Sequence, residues 1–318
     1  MPESPRYVGR LAPSPTGALH LGNVRTFMIA WLRARSQGGR ILFRMEDLDH
    51  PRDKVGAAGA AIEDLRWLGF EWDQDFVQSE RKSLYREALG RLHVRHIVYP
   101  CVCSRKDVES AQSAPHAGEQ LFYPGTCRER FATWNEAAAF LAQTSPDRMP
   151  CWRFRVKDDT RVAFDDAFAG TYEQDVGRIL GDFPLAREAG GAGYTLAVVV
   201  DDALMGVTEV VRGDDLLAAT PAQILVAQSL GYTPPRFCHV PLVVGPDGRR
   251  LCKRHGDTRV AAYRAAGWTP ERIIGKLAHS CGWGDGSPLA LSELIPLFDL
   301  STIPHAPFVV TQEWRVEK

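Results

Sequence analysis

The 318-residue chain has no run of about 18 or more apolar residues, which excludes a membrane-spanning helix as its organising element. Its opening, Met1-Pro-Glu-Ser-Pro-Arg6, lacks the basic-then-apolar order of a secretory signal, so the expected compartment is the cytoplasm. Charge of one sign is missing too: 38 Lys and Arg face 39 Asp and Glu, and any nucleic-acid surface must be a local basic patch. Seven cysteines in a chain of this size do not make a disulfide framework. Cys151, Cys238, Cys252 and Cys281 stand singly and read as small buried or half-buried residues, whereas Cys101, Cys103 and Cys127 are clustered. No internal repeat or low-complexity tract is present. What remains is an ordinary globular composition, long enough for one large domain with an insertion or for two domains.

From Tyr7 to about Leu92 strand and helix patterns alternate. Apolar runs at Tyr7–Leu11 and Ile41–Met45 read as strands, and Leu21–Arg35, Val55–Leu68 and Ser83–Val94 read as helices. Such alternation predicts an α/β fold with a parallel sheet and crossover helices. Between Tyr99 and Gly193 the pattern breaks into Cys-, Pro- and Gly-rich sequence with short strands at Trp152–Val156 and Arg161–Phe164, the mark of an inserted subdomain. Alternation then resumes, with strands at Leu196–Val200, Thr208–Val211 and Phe237–Val244 and a threonine-capped helix at Thr220–Leu230. Helical patterns at Pro270–Ser280 and Ser292–Phe298 follow. The expected divisions are 1–98 and 194–257 for the halves of the sheet domain, 99–193 for the insertion and 258–318 for a helical C-terminal segment. Gly190-Gly-Ala-Gly193 reads as a loop ahead of a strand, not as a dinucleotide fingerprint.

The most informative phrase is Arg10-Leu-Ala-Pro-Ser-Pro-Thr-Gly-Ala-Leu-His20-Leu-Gly22-Asn23, where the chain turns from a strand into a helix. Free N–H groups and the helix dipole favour an anion there, and His20 and Asn23 can add hydrogen bonds to a phosphate. A capped helix with a surface histidine is the plainer alternative. Ligands of open α/β sheets bind beyond the carboxyl ends of the strands. Arg10, Glu46 and Arg212 stand at three such ends, and two guanidiniums opposite one carboxylate suit a zwitterion carrying an extra acid. Read singly, each is an ordinary surface charge or structural ion pair. A basic loop, Gly248-Arg-Arg250-Leu-Cys252-Lys253-Arg254, follows the last apolar strand. Cys101, Cys103 and Cys127 with a fourth ligand can close a tetrahedral zinc site; three reduced thiols without metal are equally compatible with the spacing.

These residues together resemble the glutamyl-type class I aminoacyl-tRNA synthetases. The phrase ending in His20-Leu-Gly22-Asn23 is similar to their "HIGH" region, and Arg250-Leu-Cys252-Lys253-Arg254 to their "KMSKS" loop, with arginine for the first lysine and cysteine for the serine. The resemblance implies a Rossmann-like parallel sheet split by an inserted zinc-containing subdomain, with no anticodon-binding domain in the short stretch after Lys253. It implies His20, Asn23 and Lys253 as catalytic residues and His20, Gly22, Asn23 and Lys253 as the ATP site. Arg10, Ala12, Ser14, Glu46, Tyr194 and Arg212 become glutamate contacts, with Tyr194 starting its strand instead of ending it. Cys101-x-Cys103 with Tyr123-Pro-Gly-Thr-Cys127 looks like the zinc knuckle of the glutamyl-Q tRNA(Asp) branch, which makes Tyr123 the fourth ligand. The stretch between Cys103 and Tyr123 is long for that branch and contains His116, a rival ligand. The implied enzyme is a monomer that uses ATP with Mg2+, L-glutamate and tRNA(Asp) carrying queuosine, and holds one structural Zn2+. A truncated glutamyl-tRNA synthetase that charges the tRNA 3′ end is the alternative enzyme. An inactive tRNA-binding paralogue is the alternative outside catalysis, and the altered basic loop is its motive.

Overall fold

A computed structural model describes residues 7–15, 17–48, 56–111, 122–187, 191–249, 251 and 258–314. The chain enters through β1 (Val8–Leu11), followed by α1 (Leu21–Arg35), β2 (Arg40–Met45), α2 (Ala57–Trp67) and β3 (Gln74–Val77). Both strand pairs, β1 with β2 and β2 with β3, are parallel. Parallel neighbours need a crossover, and α1 and α2 supply it. Helix α3 (Lys82–Val94) then leads to β4 (Val98–Cys101).

The next stretch holds α4 (Arg105–Ala111), α5 (Trp134–Thr144), β5 (Cys151–Phe154), β6 (Arg161–Asp166), β7 (Gly170–Asp175), α6 (Val176–Ile179), β8 (Phe183–Arg187) and β9 (Gly191–Ala192). Strands β4, β5, β8 and β9 form an antiparallel sheet. The β6–β7 hairpin departs from it, and Asp166 at the end of β6 comes into parallel register with Phe237 of the following half. So the interrupting sequence also lengthens the main sheet.

That half contains α7 (Tyr194–Leu204), β10 (Glu209–Gly213), α8 (Thr220–Leu230) and β11 (Arg236–Val240). β10 and β11 are parallel. Thr208 ties β10 to β1: its N–H donates to the Val8 carbonyl at 2.9 Å and its Oγ1 accepts the Val8 N–H at 2.9 Å. The main sheet therefore runs β3-β2-β1-β10-β11, with the hairpin beyond β11.

Three sequence expectations need correction here. Leu196–Val200 is helix, not strand: Leu196 through Asp202 are all buried, so no polar face marks the helical period, and a short valine run reads equally as strand. Tyr194 accordingly starts a helix, and Gly191–Gly193 joins a strand to that helix, with Gly191–Ala192 paired to Ala186–Arg187. Thr220 does not cap α8; the cap position is Ala219, which makes no side-chain bond, and the threonine hydroxyl is used in the interior.

Strand β12 (Val243–Val244), α9 (Val260–Ala265), α10 (Pro270–His279) and β13 (Phe308–Val309) complete the described chain. The expected helix at Ser292–Phe298 is a 3-10 turn over Leu291–Leu297, with Pro296 withholding the N–H that a regular helix needs. Ile273, Leu277, Trp283, Leu294 and Trp314 share one core with Val24, Met28 and Trp31 of α1. Buried Arg25 fastens the same contact, donating to the Pro241 carbonyl at 2.9 Å and to Ser280 Oγ at 3.0 Å. Among the described residues no helix is long and apolar enough to cross a membrane.

Candidate active site

The signature phrase forms the mouth of α1. His20 is the cap residue: its Nδ1 accepts the Gly22 N–H at 3.1 Å, and its own N–H donates to Asn23 Oδ1 at 3.2 Å. Part of the anion-binding N–H supply expected there is thus used by the cap itself. An accepting Nδ1 carries no proton, so the neutral imidazole presents Nε2–H as its donor. Asn23 commits its oxygen to the backbone, leaving its amide nitrogen as the group suited to a phosphate. Space at Gly22 is tight: a Cβ would lie 3.0 Å from His20 Cε1, so the imidazole would have to shift to admit a larger residue. The chain following the basic loop docks at this mouth, with Leu21 N–H on the Thr258 carbonyl at 3.1 Å and Val260 N–H on the Leu19 carbonyl at 2.9 Å. Arg250, Cys252, Lys253 and Arg254 lie outside the described residues.

Beyond the carboxyl ends of β1, β2 and β10 sits a buried ionic cluster. Arg10 and Arg212 lie within their strands and are 6% and 4% exposed; Glu46 directly follows β2, where the Arg10 charge acts on it. Arg44 is fully buried and binds Asp202 Oδ1 at 2.6 Å and Glu46 Oε1 at 3.0 Å. Asp201 is held by Arg81 at 2.7 Å, Tyr85 at 2.8 Å and Gln78 at 2.9 Å. Burial pushes the Glu46 carboxyl up against the pull of Arg44 and Arg10, so an added cation beside it would be welcome. Tyr194 is 43% exposed, and its phenol is pushed up by desolvation and by the Glu46 carboxylate. Ser14 is exposed and Ala12 half-buried on the loop after β1.

Two buried donors in this cluster have no hydrogen-bond partner, Arg212 Nη1 and Arg10 Nε. The nearest acid to Arg10 Nε is Asp202 Oδ1, at 3.5 Å. Burial lowers the Arg212 guanidinium, and Arg10 alongside adds to the effect, against the opposing pull of Tyr194 and Asp202. The remaining Arg212 nitrogens are occupied: Nε donates to His239 Nε2 at 3.0 Å and Nη2 to Thr220 Oγ1 at 2.8 Å.

Composition did not point to Arg44, Asp201, Asp202, Asp166 or His239. The signal for the first three was present: an arginine inside an apolar strand, and two acids closing the apolar run Leu196–Val200. Nothing local marks Asp166 and His239, which meet only because the hairpin joins β11.

In the interrupting segment, the sulfurs of Cys101, Cys103 and Cys127 all lie within 4.8 Å of one another and could hold a metal ion. Cys103 and Cys127 sulfurs are 3.6 Å apart, and the Tyr123 hydroxyl is 3.3 Å from Cys101 and 3.7 Å from Cys103. A tetrahedral zinc with Zn–S near 2.3 Å requires S···S edges of about 3.8 Å, so the donor set fits that ion. The Cys103, Cys127 and Cys151 thiols turned toward Cys101, with the Arg153 guanidinium at 3.1 Å, pull its thiol down. Cys103 is pushed up by the thiols of Cys101 and Cys127, and the Tyr123 phenol by burial and then by Cys101. Four acids so close cannot all ionise without a cation between them. Cys151 is not isolated as its spacing suggested; it stands in register opposite Cys101 across β4 and β5. His116 lies outside the described residues.

Residues 7–302 match the family model of the class I tRNA synthetases (E and Q), catalytic domain, and the chain belongs to that family of ligases. It is 48% identical over 317 residues to the Glutamyl-Q tRNA(Asp) synthetase of Symbiobacterium thermophilum, covering 96% of each chain. The protein of the same name from Rhodopirellula baltica is 47% identical, with 95% of this chain and 96% of the relative covered. The Glutamate--tRNA ligase of Aquifex aeolicus is 39% identical over 96% of this chain, which spans 64% of that relative. A crystal structure of a glutamate tRNA ligase from Elizabethkingia meningosepticum, in complex with its amino acid, superposes with a TM-score of 0.81 at 25% identity, over 97% of this chain and 68% of that one.

Proposed function

We propose that this chain activates L-glutamate with ATP, without tRNA, and transfers the glutamyl group to queuosine at the wobble position of tRNA(Asp). The observation that carries the first half is the pair of buried guanidinium donors without a hydrogen-bond partner, Arg212 Nη1 and Arg10 Nε, in the charged cluster that also holds Glu46 and Tyr194. A side-chain carboxylate answers both donors, and an α-ammonium answers Glu46. Similarity over nearly the whole chain to proteins named Glutamyl-Q tRNA(Asp) synthetase supports the second half. The cytoplasm, where these substrates occur, is the proposed location.

In the first step an oxygen of the glutamate α-carboxylate attacks the α-phosphate of ATP, the bond to the β-phosphate breaks, and pyrophosphate leaves. No side chain has to move a proton, so catalysis is positioning and charge stabilisation. His20 Nε2–H and the Asn23 amide hold phosphate oxygens at the mouth of α1, where Gly22 leaves room. Lys253 neutralises charge on the departing pyrophosphate, and Mg2+ enters with ATP as part of that substrate. Arg10, Ala12, Ser14, Glu46, Tyr194 and Arg212 surround the glutamate. A queuosine hydroxyl then attacks the activated carbonyl, forming an ester and releasing AMP. Cys101, Cys103, Tyr123 and Cys127 would hold a Zn2+ that supplies cross-linking of the segment and no chemistry.

Two tRNA(Asp) pools, one with queuosine and one with unmodified guanine, test the transfer with labelled glutamate. Label is expected on the queuosine pool alone and should survive removal of the 3′-terminal nucleotide. Label on both pools, or label lost with the 3′ end, establishes instead the second reading, a ligase that charges the tRNA end. Similarity to the Aquifex Glutamate--tRNA ligase keeps that second reading in view.

A further inference from the structure

Behind the pocket, Arg212 is held by a chain of buried groups that reaches into the interrupting segment. His239 is 1% exposed and Asp166 5%. Asp166 Oδ2 lies 2.6 Å from His239 Nδ1, and Asp166 Oδ1 accepts the N–H groups of His239 at 3.0 Å, Phe168 at 3.0 Å and Ala169 at 2.8 Å. On the other side of the imidazole, Arg212 Nε stands 3.0 Å from Nε2. A guanidinium nitrogen can only donate, so Nε2 must be the lone-pair nitrogen and the single ring proton sits on Nδ1, facing Asp166. Thr220 Oγ1 supplies the second acceptor for Arg212, at 2.8 Å from Nη2, while it also approaches Leu216 O and His239 Nε2 at 3.1 Å each.

With Nε and Nη2 fixed from behind, the guanidinium plane is set and Nη1 is the nitrogen left without a hydrogen-bond partner. We propose that His239 is a positioning residue for amino-acid recognition: kept as the Nδ1–H tautomer by Asp166, it orients Arg212 toward the substrate's side-chain carboxylate. Because Asp166 ends β6, docking of the β6–β7 hairpin onto β11 is a condition of that orientation. A pocket for a charged side chain is thereby coupled to the seating of a segment outside the strand–helix–strand halves. Burial, reinforced by the Arg212 charge, lowers the histidine's proton affinity against the pull of Asp166, in keeping with a neutral ring. The inference rests on the reading of Arg212 as a glutamate contact.

Glutamate-dependent ATP–pyrophosphate exchange by the full chain tests it. His239→Phe keeps an aromatic ring of similar width but accepts nothing from Arg212. It should raise the glutamate KM on the order of 10- to 100-fold, the range for a hydrogen bond to a charged group, and leave the ATP KM unchanged. Glutamine, which offers no charge to Arg212, should lose less, so discrimination falls. His239→Gln places an amide oxygen where Nε2 was and should recover most of the affinity. Thr220→Val, which keeps the packing, should raise the glutamate KM alone and by less. The inference is overturned if His239→Phe leaves the glutamate KM unchanged, if it raises both KM values together, or if His239→Gln is no better than His239→Phe. Should His239→Phe not fold, an unchanged glutamate KM in Thr220→Val overturns it instead. Arg212→Ala separates the two levels. A silent Arg212→Ala removes the pocket reading itself, whereas a damaging Arg212→Ala beside a silent His239→Phe removes only the role of the histidine.

Discussion

The ionic pocket and the cysteine knuckle are both buried and polar, yet they are balanced in opposite ways. Under the pocket, cations and anions alternate: Arg44 lies between Asp202 and Glu46, and Asp201 between Arg81 and Arg44. Among the described residues of this cluster, the donors Arg212 Nη1 and Arg10 Nε lack hydrogen-bond partners. In the knuckle all four converging groups, Cys101, Cys103, Tyr123 and Cys127, lose a proton to become useful ligands, and Arg153 is the cation that stands against them among the described residues. The pocket is therefore organised without its ligand and keeps its shape for an anion to enter. The knuckle needs a cation to reach its stable form, and around it Tyr99, Val102, Val108, Ala137 and Leu141 make only a small core.

The largest effect should follow from breaking the charge alternation. Arg44→Ala leaves Asp202 and Glu46 buried without their cation and should lower stability by roughly 3–5 kcal/mol, measured by denaturant unfolding. A loss under about 1 kcal/mol, within the ordinary range of surface pairs, would show the cluster to be solvated and not the framework described. Arg212→Ala removes a charge-assisted contact in the cluster and should cut kcat/KM for glutamate by about 30- to 1,000-fold. In the unaltered chain glutamate should be activated well ahead of glutamine; equal use of both contradicts the pocket assignment.

The knuckle should respond in the reverse sense. Purified protein should carry close to one zinc per chain, and Cys127→Ser should release it and lower the melting temperature while the glutamate KM holds. Tyr123→Phe should weaken zinc retention more mildly if the phenolate is the fourth ligand. Zinc lost from His116→Ala but retained in Tyr123→Phe transfers that place to the histidine.

Acid should give the smallest and most gradual effect. His239, faced by Asp166, Arg212 and Arg10, has its proton affinity lowered in the fold. Below the ordinary histidine value of about 6.5 the unfolded chain therefore binds more protons than the native one. Its contribution is complete above that value and is lost as pH falls through the native one. Burial raises Asp166, but bonds from His239 and from the Ala169, His239 and Phe168 N–H groups outweigh it and hold the carboxyl at about 2, so a second loss follows below the ordinary carboxyl range. His239→Gln should flatten the upper part of this profile. An unchanged slope there would assign the dependence to other groups.

Local chemistry carried much of this molecule. Alternating apolar runs specify β1, α1 and β2 nearly to the residue, and Pro13, Pro15 and Gly17 mark the turn that makes His20 a helix cap. These features depend on neighbours a few residues apart, where backbone preference and side-chain period act directly. Arg10, Glu46 and Arg212 were legible for a related reason, since each stands at or near the carboxyl end of a strand. Where period disappears, so does the reading: α7 is buried through Leu196–Asp202, and nothing in its valines distinguishes helix from strand. Tertiary structure alone decided which charges meet. Arg44 and Asp202, or Asp166 and His239, are far apart in sequence, and their pairing depends on strand order and on where a hairpin docks. A buried ion is tolerated only where the fold delivers its counter-charge, and that delivery is a property of packing, not of any local stretch of chain.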